Sequence, residues 1–297
     1  MSIHHIHLRH STIVSSEQTI PLVWRGLNYK LRFGAAELSE NKSLKLVAAK
    51  DLEPDQNQLL TWLSIYFGEN FLRPEQNSDY RFSSLRGRIH LDGNHLKRFL
   101  RQAEKVPFKS HPVWKNELLD LAFSYYLAAL RSGLNLMPIT LGLFGVSIEA
   151  LINAYTGRRD DYRTLGRKPY QKLIETRLGR FKGTRHEVWA KEFQQRVESD
   201  LELITAARNY TYGHSLIHTP KNRDRLCKEL RAWYQRNGLP SEFGKASFPK
   251  RKLRISLSAG NALGLYKVGL FLNRLLIFWY LGYVVSVPFA EKDLRIA

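Results

Sequence analysis

The stretch HEVWAKEFQQRVESDLELITAARNYTYGH, residues 186–214, decides how the second half of this chain is read. Its apolar positions Trp189, Phe193, Val197, Leu201 and Ile204 recur at spacings of four and three, which puts them on one face of a helix from about His186 to Arg208. One turn beyond Ile204 the same seam reaches Arg208, so a permanent charge stands where a bundle would bury Leu or Ala. Such a charge is costly unless it is paired or used. The chain continues Asn209-Tyr210-Thr211-Tyr212-Gly213-His214. Six steps of unbroken helix would leave His214 about 120° round from Arg208 and about 9 Å along the axis. Gly213 permits a break that folds the imidazole back toward the guanidinium.

Working outward, three more stretches have helical length and period. These are Glu117 to Arg131, Pro138 to Tyr155 with its proline in the first turn, and Asn261 to about Val285. The last is apolar almost all round and is expected to be central. Four long helices predict a helical bundle. The first part of the chain reads differently. Thr19–Trp24, Asn28–Gly34 and Ser43–Ala49 are short strand-like runs, the last two alternating apolar and polar; helical spacing returns over 55–71 and 93–106. The double-proline segment Lys105 to Trp114 marks the boundary. The expected class is therefore α+β, with a small mixed, β-rich domain over residues 1–111 and a mainly α-helical domain over 112–297. The helical domain carries a basic insertion at about 219–256.

Of 297 residues, 46 are Lys or Arg and 27 Asp or Glu, a formal charge of +19, while 43% are hydrophobic. That composition excludes a disordered tail and points to a folded protein that meets a polyanion or an acidic membrane surface. The charge is uneven: residues 1–111 net +5 and residues 112–297 net +14, with +6 over 158–187 and +8 over 221–254. These two inter-helix segments read as basic flaps. Within them, Arg158, Arg159, Arg163, Arg167 and Lys168, and Lys250, Arg251, Lys252 and Arg254, are the candidate RNA-binding residues. Trp233, Tyr234, Tyr162, Tyr170 and Phe181 lie among them as possible base-stacking faces.

The single cysteine, Cys227, is incompatible with a disulfide framework or a CxxC metal site and suits a reducing, cytoplasmic compartment. The N-terminus lacks a secretory pattern, so no export is expected. The apolar runs Ser132–Ile148 and Leu275–Ala290 fall short of a bilayer span and read as core helices. His4, His5, His7 and His10 have no carboxylate or cysteine beside them and read as a frayed or strand-forming terminus rather than a metal site. The glycines of GLFG, residues 142–145, read as close helix packing. There is no GxxxxGK[ST], GxGxxG after a strand, GxSxG or HExxH. No metal and no cofactor are expected.

An Arg and a His brought together without a nucleophilic cysteine or an acidic metal cluster suit RNA cleavage, because RNA carries its own nucleophile, the 2′-hydroxyl. Imidazole can take the proton or return one to the leaving 5′-oxygen, and guanidinium can neutralise the developing phosphorane. Arg208 and His214, with five residues between them and a polar Asn209 after the arginine, resemble the R-x(4–6)-H signature of HEPN domains. The helix containing Ser147–Tyr155 (SIEALINAY) and the closing apolar helix are similar to those of the ApeA-like group of microbial defence HEPN proteins. The resemblance covers about residues 114 to 287, interrupted by the basic segment 221–254, which a minimal HEPN bundle lacks. It implies a HEPN-type four-helix bundle and a metal-independent endoribonuclease leaving 2′,3′-cyclic phosphate and 5′-hydroxyl ends, acting as a toxin or antiviral-defence effector. It also implies a homodimer with two facing motifs. Arg208 would stabilise the transition state, His214 would act as general acid or base, Asn209 would orient phosphate or imidazole, and Glu149 would pair with Arg208 across the bundle. A regulatory protein or trigger would act through the N-terminal domain, and no membrane is involved. The alternative is a non-catalytic RNA-binding or scaffold protein on the same bundle.

Overall fold

A computed structural model of the chain describes residues 4–9, 18–33, 43–48, 53–68, 93–105, 113–133, 139–156, 167–212, 220–237 and 259–282. The chain divides into two units, residues 1–108 with 288–293, and residues 109–287 with 294–297. Among the described residues it is mostly helical, with one small antiparallel sheet, an α+β composition.

In the first unit, strands β1 (His4–Arg9), β2 (Gln18–Trp24), β3 (Leu27–Phe33) and β4 (Ser43–Ala48) form the sheet in the order β1-β4-β3-β2. Alternation sets the register. Ile20, Leu22 and Trp24 of β2 are buried while Pro21 and Val23 face out, and Leu22 and Ile20 stand opposite Tyr29 and Leu31 of β3, also buried. The hairpin turns through Arg25 and Gly26, both at positive φ (49° and 76°), the handedness that matches strand twist. The Arg25 amide donates to Glu104 Oε1 at 2.5 Å, tying the turn to the end of a helix. Helices α1 (Glu53–Phe67) and α2 (Gly93–Glu104) complete the unit. α2 turns Leu96, Phe99, Leu100 and Ala103 inward, and Phe99 meets Trp62 of α1 edge-on at 6.0 Å.

The second unit contains α3 (Val113–Ser132), α4 (Ile139–Thr156), α5 (Arg167–Leu178), α6 (Glu187–Tyr212), α7 (Pro220–Arg236) and α8 (Ala259–Tyr280), with a 3-10 turn at Gly179–Phe181 after α5. α4 packs against α3, α5, α6 and α8, and α8, expected at the centre, is buried almost all round and lies against α4 and α6. Small residues set the spacing of these helices. Gly145 and Gly269 bring backbones together where any Cβ would collide: a Cβ on Gly269 of α8 would lie 2.3 Å from the Phe144 ring of α4. Ser147 closes the other side, its hydroxyl donating to the Ala122 carbonyl of α3 at 2.7 Å. By length and hydropathy the 18 residues of α4 are enough to cross a membrane, yet 72% of that window is buried inside the unit.

Two segments expected as inter-helix flaps contain helices. α5 buries Leu173, Ile174 and Leu178, and Arg177 lies over the Tyr155 ring while its Nη2 donates to the Trp279 carbonyl at the end of α8. α7 packs along α6 through Leu226, Leu230, Trp233 and Tyr234. Their high charge content hid a 3.6-residue period that burial makes plain.

Candidate functional site

The site is built where α4 meets the last turns of α6. Gly145 and Glu149 are one helical turn apart, so they share a face of α4. A Cβ on Gly145 would lie 2.5 Å from Arg208 Cβ and 3.2 Å from the Ile204 carbonyl oxygen. Only glycine admits the Arg208 stem at this approach, and the guanidinium then reaches one turn along α4 to Glu149. Arg208 Nη2 forms an ion pair with Glu149 Oε2, and Arg208 Nη1 donates to Asn209 Oδ1 at 2.8 Å. One side chain grips the guanidinium from across the bundle and one from its own helix.

Burial divides the labour. Glu149 is 1% exposed, whereas 19% of the Arg208 side chain remains open. The carboxylate is inside and the cation looks out. Among the described residues Glu149 Oε1 meets no hydrogen-bond donor. Burial pushes the Glu149 carboxyl from 4.5 up to about 7, and the Arg208 charge and hydrogen bond pull it back only in part. At this depth Glu149 meets Arg208 from across the bundle.

The structure thus brings together Arg208, Asn209 and Glu149. α6 stays helical through Tyr212, with Tyr210 buried, so any return of an imidazole toward Arg208 has to be made by Gly213 and His214. His214 lies outside the described residues, as do Arg158, Arg159, Arg163, Lys250, Arg251, Lys252 and Arg254. Arg167 and Lys168 open α5, but their side chains are not among those described. Of the aromatic residues flagged for base stacking, Trp233 and Tyr234 are each 3% exposed and face the core, so they offer no face to a base. Their hydrophobic area is spent on α6, as the apolar side of an amphipathic helix requires. Phe181 is half-buried, with Arg180 over its ring at 5.0 Å.

Gly145, read in its GLFG context as a close-packing glycine, and two residues not singled out in the sequence, Asn222 and Asp200, complete the setting. Gly145 sets the α4–α6 distance, and its GLFG context carried the signal. Asn222 of α7 donates to the Asn209 carbonyl at 3.0 Å, satisfying one of the last open carbonyls of α6. Asp200, buried two turns before Arg208, faces Arg236 of α7 at 3.9 Å; burial raises its carboxyl to about 6 against the pull of Arg236 and Arg196. α7 is thereby fastened to α6 at both ends. Among the described residues no three His, Cys, Asp or Glu side chains converge to hold a metal. A fixed, partly open guanidinium at a helix end can bind and neutralise a phosphate or a developing oxyanion.

Compared with protein-family models, with curated proteins and with solved structures, the chain matches none.

Proposed function

We propose that this protein is a metal-independent endoribonuclease of HEPN type, cleaving RNA by attack of the 2′-hydroxyl on the adjacent phosphate. The observation that carries the reading is Arg208, a charge placed on the core seam of α6 and held by Glu149 and Asn209, with 19% of its side chain exposed. In this reading Arg208 neutralises the charge that builds on the pentacoordinate phosphate. His214 takes the 2′-hydroxyl proton or gives one to the 5′-oxygen. Glu149 and Asn209 prevent the guanidinium from swinging, which matters because preorganised charge accelerates where mobile charge does not. Two copies facing each other would complete the cleft, and a partner or trigger acting on the first unit would restrain a toxic or defensive activity. The +19 charge supports a polyanionic substrate.

A second reading, a non-catalytic RNA-binding scaffold, is favoured by the same contacts: an arginine pinned by Glu149 and Asn209 also serves as a brace between α4 and α6. Incubation of the purified protein with end-labelled RNA in EDTA separates the two. The nuclease reading predicts cleavage by the wild type and none by Arg208→Ala or His214→Ala at equal RNA binding. Intact RNA in every lane, with binding retained, favours the scaffold.

A further inference from the structure

The outward face of α7 has no role in the site described above. Lys221, Arg225, Lys228 and Arg231 follow one another at spacings of four, three and three, so they lie along one side of the helix, and all four are exposed. At 1.5 Å per residue the row runs about 15 Å. Its neighbours do not cancel it. Of the two acidic residues in this stretch, Asp224 is taken by Arg223, whose Nη2 lies 2.7 Å from its Oδ1, and Glu229 is half-buried and forms no ion pair among the described residues. Arg236 is directed at Asp200 instead. Among the described residues none of the four forms an ion pair.

The row also has a fixed start and direction. Asn222, next to Lys221, holds the carbonyl of Asn209, so the first cation of the row stands beside the end of α6 that carries Arg208. Four unpaired cations in line, starting at the candidate site, are costly in mutual repulsion unless a polyanion neutralises them. The chemistry of the face narrows the occupant. Its exposed side chains are charged or polar, and the helix's apolar residues, Trp233 and Tyr234 among them, are turned to the core. A membrane-lying helix would present an apolar face to the lipid. A purely cationic row suits the repeating phosphates of a nucleic acid strand.

We propose that the exposed face of α7 is the track that holds the RNA backbone and leads it to Arg208, through phosphate contacts from Lys221, Arg225, Lys228 and Arg231. This rests on the reading of the chain as an RNA-acting protein and adds where the strand lies. Phosphate contacts of this kind bind without base preference and are read through salt. For a single strand each contact contributes about 0.7 to the slope of log affinity against log salt, so four contribute about 2.8.

The test is RNA binding by fluorescence anisotropy across a salt series, using a single-stranded oligonucleotide and the full chain. The variants are K221A/R225A/K228A/R231A and a charge-matched control on exposed residues of the first unit, K30A/R98A/R101A/K105A. The α7 variant is expected to lose about 2.8 from the slope, so that its affinity drop from about 50 to 200 mM salt is about 50-fold smaller than the wild type's. The control is expected to keep the wild-type slope. Circular dichroism checks that both variants keep their helices, and the single substitutions K221A and K228A, each expected to remove about 0.7, provide the same readout with less disturbance. An unchanged slope in the α7 variant overturns the proposal, as it would if the face served a membrane or an acidic protein. Equal losses in both variants also overturn it, by showing a diffuse field rather than a track. Cleavage in EDTA is scored separately: a wild type that binds through α7 but leaves RNA whole upholds the track and removes the nuclease.

Discussion

The Glu149→Gln substitution should make the protein's stability less sensitive to pH, and the size of the effect follows from where Glu149 sits. In the unfolded chain its carboxyl titrates at 4.5; in the folded chain burial holds it up to about 7. Between those two values the unfolded chain has released the proton while the folded chain keeps it, so the unfolded state binds fewer protons and stability falls as pH rises. The contribution is complete below pH 4.5, lost progressively up to about pH 7, and constant above that. At about 1.4 kcal/mol per pH unit the loss is about 3 kcal/mol. Glutamine has the same shape and carries no titrating proton, and Arg208 stays charged throughout, so the variant lacks this fall. The raised carboxyl of Asp200 is common to both proteins and cancels in their difference. Urea unfolding followed by far-UV circular dichroism, repeated from about pH 4 to pH 8, should therefore show the variant gaining about 3 kcal/mol on the wild type between pH 4.5 and pH 7. Stability curves that run parallel across this window would refute the buried, raised carboxyl and with it the α4–α6 arrangement that positions Arg208.

Other outcomes follow from the same contacts. Gly145→Ala places a Cβ 2.5 Å from Arg208 Cβ and should cost about 1–3 kcal/mol in urea unfolding. Because it also shifts the guanidinium by a fraction of its length, RNA cleavage should fall by about 100-fold, more than the stability loss accounts for. Ser147→Ala removes a buried hydroxyl that donates to Ala122 and should destabilise by about 1 kcal/mol with cleavage unchanged, a control for effects that come from stability alone. Phe144→Ala empties a fully buried position between α4 and α8 and should cost about 3–5 kcal/mol, read as a lower urea midpoint. Asp200→Asn should flatten the pH dependence between 3.8 and about 6, where the wild-type carboxyl keeps its proton only when folded; an unchanged profile there would show Asp200 to be solvated.

Most of the elements were legible because their periods were clean. β2, β3 and β4 were read as short strand-like runs, the last two from their alternation, and α3, α4, α6 and α8 from apolar residues at helical spacing. α5 and α7 were read as flaps because lysine and arginine dominate them, although Leu226, Leu230 and Trp233 already traced a helical seam. Charge density describes a surface, and an amphipathic helix has that surface and a core face together. Arg208 was legible for the opposite reason, since it broke a seam. Glu149 stood out as a carboxylate within an apolar helix, but its depth was not readable: a sequence places residues on a face of a helix without saying how close the neighbouring helix comes. That distance is set by Gly145, and with it the reach by which Arg208 meets Glu149.

The central claim, that RNA is cut through its own 2′-hydroxyl at a site built on Arg208, is tested most directly by end-group analysis. An RNA carrying a single 2′-deoxy nucleotide at the cleaved position is incubated with the wild type in EDTA, alongside the unmodified strand, and the products are read by mass spectrometry. Attack by the 2′-hydroxyl gives a 2′,3′-cyclic phosphate and a 5′-hydroxyl from the unmodified strand, no cut at the deoxy position, and neither product with Arg208→Ala. Cleavage of the deoxy strand at that position, or products bearing a 5′-phosphate, would contradict it.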